Sequence, residues 1–193
     1  MKIVLASGSP RRAKILEAAG VEFTTLKTDA PEVVMPHDPV RTVTENATAK
    51  LKAALAELAR THSEEDGTLA ADTIVWYAGR IYGKPRDLDE AVQFLRELGG
   101  RTHTVFTGIA FAGRDGVIRT ACERSDVTFH PLDEAKIAAY VARVRPTDRA
   151  GAYDIDESGD LIVASYTGSY ENIMGLPLEP LKKFGILRSA EGT

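Results

Sequence analysis

Two stretches of the sequence carry residue types able to hold an anion and to handle a proton. The first is Ser7-Gly8-Ser9-Pro10-Arg11-Arg12, entered from the apolar run Lys2–Ala6. Pro10 suits the first turn of a helix, where its missing N–H would have no partner anyway, and Ser9 is then the natural N-cap. Free N–H groups and the helix dipole favour an anion at such a point, and two adjacent guanidinium groups can grip a phosphate with forked bonds. Alone, the stretch also reads as an ordinary capped helix with two solvated arginines. The second stretch, Leu69–Tyr77, is apolar except for Asp72 and Thr73. A carboxylate buried there without a partner would be costly, so Asp72 requires a cation, a metal or a substrate, or serves in a structural ion pair.

The elements that position these residues follow from patterning. Lys2–Ala6 and Val21–Leu26 are expected strands, with a helix over Arg11–Ala19 between them that Gly20 closes. Thr28–Pro39 is a proline-bearing loop that carries Glu32. Asp38-Pro39 opens a long helix to about His62, with an apolar stripe at Val40, Val43, Ala47, Leu51, Ala54, Leu55 and Leu58. Lys52 lies on that helix, and spacing alone does not separate it from Lys50. A polar linker, Ser63–Gly67, leads into Leu69–Tyr77, which reads as a strand buried on both faces. Arg80–Tyr82 returns as a short strand, and Gly83-Lys84-Pro85 holds Lys84 between two conformationally distinctive residues. Asp87 caps a helix to Leu98. Arg101–Ala112 and Val117–Phe129 pair as a hairpin, followed by a helix over Pro131–Val144, a polar loop over Arg145–Gly159, a strand over Leu161–Tyr166, a loop over Gly168–Gly175 and a helix over Pro177–Phe184. His103 sits in an alternating strand pattern, where a lone histidine is more often structural. The fold class is α/β, with a mixed, twisted sheet flanked by helices.

At 193 residues the chain is expected to form a single domain, 1–193. A net charge of −4 gives no basic surface to track nucleic acid, and no apolar run approaches a membrane span, so neither partner is expected. The single cysteine, Cys122, excludes an internal disulfide and a cysteine-rich zinc site. With no signal-peptide core either, a cytoplasmic location is expected.

The chain has no P-loop, no Gly-x-Gly-x-x-Gly after its first strand, no Gly-x-Ser-x-Gly and no His-Glu-x-x-His. What remains is a set of cations, Arg11, Arg12, Lys52 and Lys84, with two acids, Glu32 and Asp72. That set suits a polyphosphate held with Mg²⁺ or Mn²⁺, with Glu32 and Asp72 as metal ligands.

In order along the chain, Leu5–Arg12, Lys52-Ala53, Ala71–Val75, Gly83–Asp87, Gly99–Val105, Thr107-Gly108, Ala150–Tyr153 and Asn172–Leu178 resemble the Maf family of nucleoside triphosphate pyrophosphatases. The resemblance implies hydrolysis of a nucleoside triphosphate to the monophosphate and pyrophosphate, in a cleft between two lobes. It further implies a divalent metal, a homodimer and a fold similar to the inosine triphosphate pyrophosphatases. It places Asp72 as the proton acceptor and Glu32, Lys52 and Lys84 at other active-site positions. Ser7, Ser9, Arg11 and Arg12 fall on the phosphate-binding turn, and Arg11 and Thr73 on positions tied to substrate choice. In the branch acting on dTTP and UTP, Ala-Gly-Ala-Tyr is followed by Gly-Ile-Gln, whereas this chain has Asp154-Ile155-Asp156. Asp156 replaces an amide by an acceptor-only carboxylate, which suits a donor-bearing base edge, so modified purine nucleotides stand beside dTTP and UTP as expected substrates. The alternative from another class is a nucleotide-binding sensor of cell division without significant turnover.

Overall fold

The computed structural model describes residues 1–61 and 65–187, so the expected helix end at His62 and the first part of the Ser63–Gly67 linker lie outside the described residues. Among the described residues, the strands are β1 (Lys2–Leu5), β2 (Glu22–Thr25), β3 (Gly67–Tyr77), β4 (Arg80–Tyr82), β5 (Thr102–Gly113), β6 (Ile118–Phe129) and β7 (Val163–Thr167). They form one sheet in the order β2-β1-β3-β5-β6-β7, with β4 added to β3. β1 runs parallel to β2 and β3, and the other pairings are antiparallel, so the sheet is mixed as expected. The helices are α1 (Pro10–Ala18), α2 (Pro39–Thr61), α3 (Leu88–Leu98), α4 (Glu134–Val144), α5 (Tyr170–Met174) and α6 (Leu178–Lys183).

Several local expectations change: the strand expected from Leu161 begins at Val163 after a 3₁₀ turn at Gly159–Leu161, and the expected Arg145–Gly159 loop holds another at Ala150–Ala152. The helix expected from Pro131 starts at Glu134, because Asp133 supplies the cap by accepting from the Lys136 N–H at 2.8 Å. The expected loop at Gly168–Gly175 contains α5, one short turn capped by Ser169.

Strand parity distributes the helices. Alternate residues of β3 face opposite sides of the sheet. On one side, α1 and α6 bury Leu16 and Leu181 over Ile3, Leu5, Leu69, Ala71 and Ile109. On the same side but further along the strands, α3 and α4 bury Leu95, Ile137 and Tyr140 over Val75, Val105 and Val127. Between these two cores lies a polar seam, where Thr73 and Thr107 bring their hydroxyls to 3.0 Å. The other side of the sheet carries α2, with Ala47, Leu51 and Ala54 over Ala70 and Ala110 and with Val43 over Ile74 and Phe106. α2 lies so close to β5 that a Cβ on Gly108 would sit 2.4 Å from the Val43 backbone. Asp72 pairs in register with that glycine, so the helix backbone passes directly beside the carboxylate.

The sheet has a gap that becomes the cleft. β3 gives one edge to β5 along Gly67–Trp76. Its other edge pairs with β1 only at Gly67–Leu69 and with β4 only at Val75–Tyr77. Between those pairings the edge around Ala71–Thr73 is open, and β1 ends there in the Ala6–Ser9 turn. A cleft of about 740 Å³ occupies the opening. No helix among the described residues is long and apolar enough to cross a membrane.

Candidate active site

Asp72 lies at the α2 wall of the cleft and is buried. Its Oδ1 accepts from Lys50 Nζ at 2.6 Å, and its Oδ2 accepts from Asn46 Nδ2 at 3.0 Å. Lys50 Nζ also lies 2.7 Å from Glu32 Oε1. Asn46 and Lys50 are one helical turn apart and in phase with the buried stripe of α2, which aims both at β3. Asn46 does more than meet Asp72. Its Oδ1 accepts from the Val33 N–H at 2.8 Å and its Nδ2 donates to the Val33 carbonyl at 3.1 Å. The Glu32 loop is further fixed by the Thr42 hydroxyl, which accepts from the Met35 N–H at 3.0 Å, and by the Trp76 indole, which donates to the Pro36 carbonyl at 3.0 Å. Glu32 thus points its side chain, 57% exposed, from a pinned loop toward the same lysine as Asp72.

The opposite wall is the Ser7–Arg12 turn. Arg12 donates to the Gly175 carbonyl at 2.9 Å, to Ser7 Oγ at 3.1 Å and to Thr73 Oγ1 at 3.1 Å. All three acceptors are uncharged. Desolvation pulls the Arg12 guanidinium below the ordinary arginine range, opposed by the field of Asp72. Gly175 sits at φ 100°, and a Cβ there would meet Thr73 Oγ1 at 3.0 Å. Ser9 is in the N-cap position as expected, yet its side chain makes no cap bond. Instead Ser7 Oγ accepts from the Ser9 N–H at 3.1 Å.

A second ionic group lies beside this turn, and sequence reasoning missed its centre. Asp154 Oδ2 accepts from Arg149 Nε at 2.8 Å and from Arg11 Nη1 at 3.4 Å. Burial works to raise the Asp154 carboxyl. The bonds from Arg149 and the Asp156 N–H, with the charges of Arg11 and Arg149, outweigh it and hold the group below the usual carboxylate range. The available signal is the departure from Gly-Ile-Gln at Asp154-Ile155-Asp156, which the sequence reading applies to Asp156 and not to Asp154.

The structure brings Ser7, Ser9, Arg11, Arg12, Glu32, Asp72, Thr73 and Lys84 to the one cleft. Lys84 follows β4 and makes no ion pair among the described residues. Two expected site residues lie elsewhere. Lys52 is exposed on another side of α2, beside Thr44, Glu45 and Thr48 in a separate shallow hollow. Two residues along a helix turn a side chain by about 200°, so Lys50 and Lys52 cannot both face Asp72. Asp156 also lies outside the cleft lining. It is 49% exposed, 3.8 Å from Lys14 Nζ, and accepts from the Tyr170 hydroxyl at 3.1 Å.

A family model described as Maf-like protein matches residues 2–185. A dTTP/UTP pyrophosphatase of Bacillus anthracis is 40% identical over 189 residues, covering 96% of each chain. A dTTP/UTP pyrophosphatase of Bacillus cereus shows the same identity and coverage. Among solved structures, the Staphylococcus aureus Ham1 protein overlaps 67% of this chain and 72% of its own, at 17% identity and a TM-score of 0.48, too loose a match to carry a functional assignment. The family match spans both walls of the cleft, and the chain belongs to the Maf-like protein family.

Proposed function

We propose that the chain hydrolyses nucleoside triphosphates at the α-phosphorus, releasing the monophosphate and pyrophosphate, with dTTP and UTP as the substrate type. The observation that carries this reading is Arg12. Its guanidinium is held by three neutral oxygens and faces a cleft whose other wall holds a buried carboxylate. A cation so placed favours an anionic ligand, and a carboxylate so placed suits proton transfer. The names of the curated relatives support the substrate class. Asp156 stands next to the cleft-lining Ile155 with its side chain toward Lys14 and Tyr170, which gives the purine alternative less support than the relatives' names give dTTP and UTP.

The donor set fits a divalent cation. Glu32 Oε1 and Asp72 Oδ1 already converge on one positive centre, Lys50 Nζ, at 2.7 and 2.6 Å. Two carboxylate oxygens completed by phosphate oxygens suit Mg²⁺ or Mn²⁺. Held by Glu32 and Asp72, such an ion would neutralise charge on the reacting phosphates.

The chain's own groups divide the remaining work. Asp72 takes a proton from the attacking water, while Asn46 holds its second oxygen and so fixes the plane of the carboxylate. Lys50 keeps the two acids together. Arg12 and the Ser7–Ser9 turn hold phosphate oxygens, and Lys84 brings an ammonium unclaimed by any carboxylate among the described residues to the leaving pyrophosphate.

The test is pyrophosphate release by purified protein with Mg²⁺ and then Mn²⁺, across dTTP, UTP, CTP, GTP, ITP and methylated nucleotides. Equimolar monophosphate and pyrophosphate, fastest from dTTP and UTP, is the expected result. Binding across the panel without release would replace this reading with the sensor.

A further inference from the structure

The two arginines of the turn differ in what neutralises them. Arg12 touches only uncharged oxygens. Arg11 directs Nη1 at the buried Asp154 Oδ2, 3.4 Å away, with the exposed Asp148 Oδ2 further off at 4.0 Å. Asp154 is held from the other side of the cleft. Its Oδ2 is 2.8 Å from Arg149 Nε, and its Oδ1 accepts from the N–H groups of Asp156 and Glu157 at 2.9 and 3.3 Å. Its own N–H donates to the buried Tyr140 hydroxyl at 2.9 Å, which ties it to the α3–α4 core. Its side chain is 4% exposed. The carboxylate is therefore anchored without Arg11. The contact to Arg11 is the long one, it crosses the cleft to the start of α1, and Arg11 is the partner free to leave.

We propose that Asp154 is a built-in anion that occupies Arg11 until the phosphate tail of the substrate replaces it, so that Asp154 sets the affinity of the cleft for polyphosphate. This rests on the triphosphate reading above. The physical basis is exchange. A phosphate arriving at Arg11 gains only the difference between its own contact and the one it displaces, and it approaches a fixed negative charge. Ground-state binding of substrate and of pyrophosphate is weakened together, which keeps product from holding the cleft.

The test is calorimetric binding of inorganic tripolyphosphate, at constant Mg²⁺, to the full chain. The variants are Asp154→Asn, Asp154→Gly and Glu157→Gln. Glycine is the residue that the resembled dTTP and UTP branch carries at this place. Glu157→Gln removes the same charge from the exposed partner of Arg149. Both Asp154 variants are expected to bind tripolyphosphate about tenfold more tightly, with Glu157→Gln within about twofold of the parent. The KM for dTTP is expected to fall in the Asp154 variants without a rise in kcat. Unchanged or weaker binding by a folded Asp154→Asn protein would overturn the proposal. Should neither variant fold, arginine-selective NMR on the parent decides: tripolyphosphate must shift the Arg11 Nε signal and leave that of Arg149, and an unmoved Arg11 signal refutes the exchange. A parent that releases no pyrophosphate, with Asp154 variants that still bind more tightly, would sink the hydrolase reading and keep this one. An active parent with unaltered variant affinities would do the reverse.

Discussion

Asp72 and Asp154 are both buried carboxylates in one cleft, and they are partnered differently. Around Asp72 there are two carboxylates for one ammonium, since Glu32 shares Lys50. Around Asp154 there are two guanidinium groups for one buried carboxylate, Arg11 and Arg149. Asp148 and Glu157, about as exposed as Glu32, also approach Arg149, and Asp148 lies 4.0 Å from Arg11, so the second group holds three carboxylates for its two guanidinium groups. The first group carries more negative than positive charge, which favours a cation. The second sets two guanidinium groups on its buried carboxylate, so an anion enters there by displacing a carboxylate from Arg11. A nucleotide polyphosphate with its metal ion brings both. On the proposed reading the difference also separates kinds of work: chemistry in the first group, and in the second how tightly the tail is held.

That division makes graded predictions. Asp72→Asn should lower kcat by about 10³-fold or more while metal-free tripolyphosphate binding stays within a few-fold, because the amide keeps the shape but neither the base nor the charge. A variant with near-parent turnover would move the chemistry out of the first group. Lys50→Met should cost about 10²-fold in kcat/KM, by leaving two carboxylates in mutual repulsion, and Lys52→Met less than about twofold. Equal losses in the two would show that the inward lysine has no special part.

The second group leans on a neutral imidazole, and acid should tell the groups apart. His103 Nε2 lies 3.0 Å from the Tyr153 hydroxyl, one residue before Asp154. Burial pushes the His103 imidazole down to about 4, with Asp126 opposing weakly. The unfolded chain takes up the proton near pH 6.5 and the folded chain only near pH 4. Stability from this group is therefore intact above pH 6.5 and lost progressively as the pH falls to 4, by about 3 kcal/mol in all. Urea unfolding across that range should show a shallower pH slope in His103→Gln than in the parent. An identical slope would clear the imidazole.

Smaller effects separate the arginines. Arg12→Lys cannot reach Gly175, Ser7 and Thr73 with one ammonium, and should raise the KM for dTTP about tenfold with little change in kcat. Asp156→Gln should leave the ranking of bases within about twofold, since the side chain lies outside the cleft lining. A reordered panel would bring Asp156 back into base selection.

Much of this was legible beforehand. The β1–turn–α1 unit, the Asp87 cap and the apolar β3 run with Asp72 inside it are local patterns, in which each residue's type answers to its immediate neighbours. The caps that went astray did so for local reasons too. Ser9 keeps the N-cap position without a side-chain cap bond, its own N–H donating to Ser7 Oγ, and α4 starts late because the Asp133 carboxylate caps it. The Lys50–Lys52 ambiguity had a readable signal. Asn46 and Lys50 share the phase of Val43, Ala47, Leu51 and Ala54, and a polar pair in phase with a buried stripe requires a buried partner.

The types of the acting groups and the elements that carry them are properties of the chain order, because caps, periodicity and apolar runs act over a few residues. Which carboxylate meets which cation is not. Asp72 meets Lys50 because Gly108 lets α2 lie against β5, and Arg11 meets Asp154 across 143 residues of sequence because β1 ends where β3 is left without a neighbour. Such contacts depend on strand register and helix approach, which no short stretch encodes. They are set only when the sheet closes around its gap.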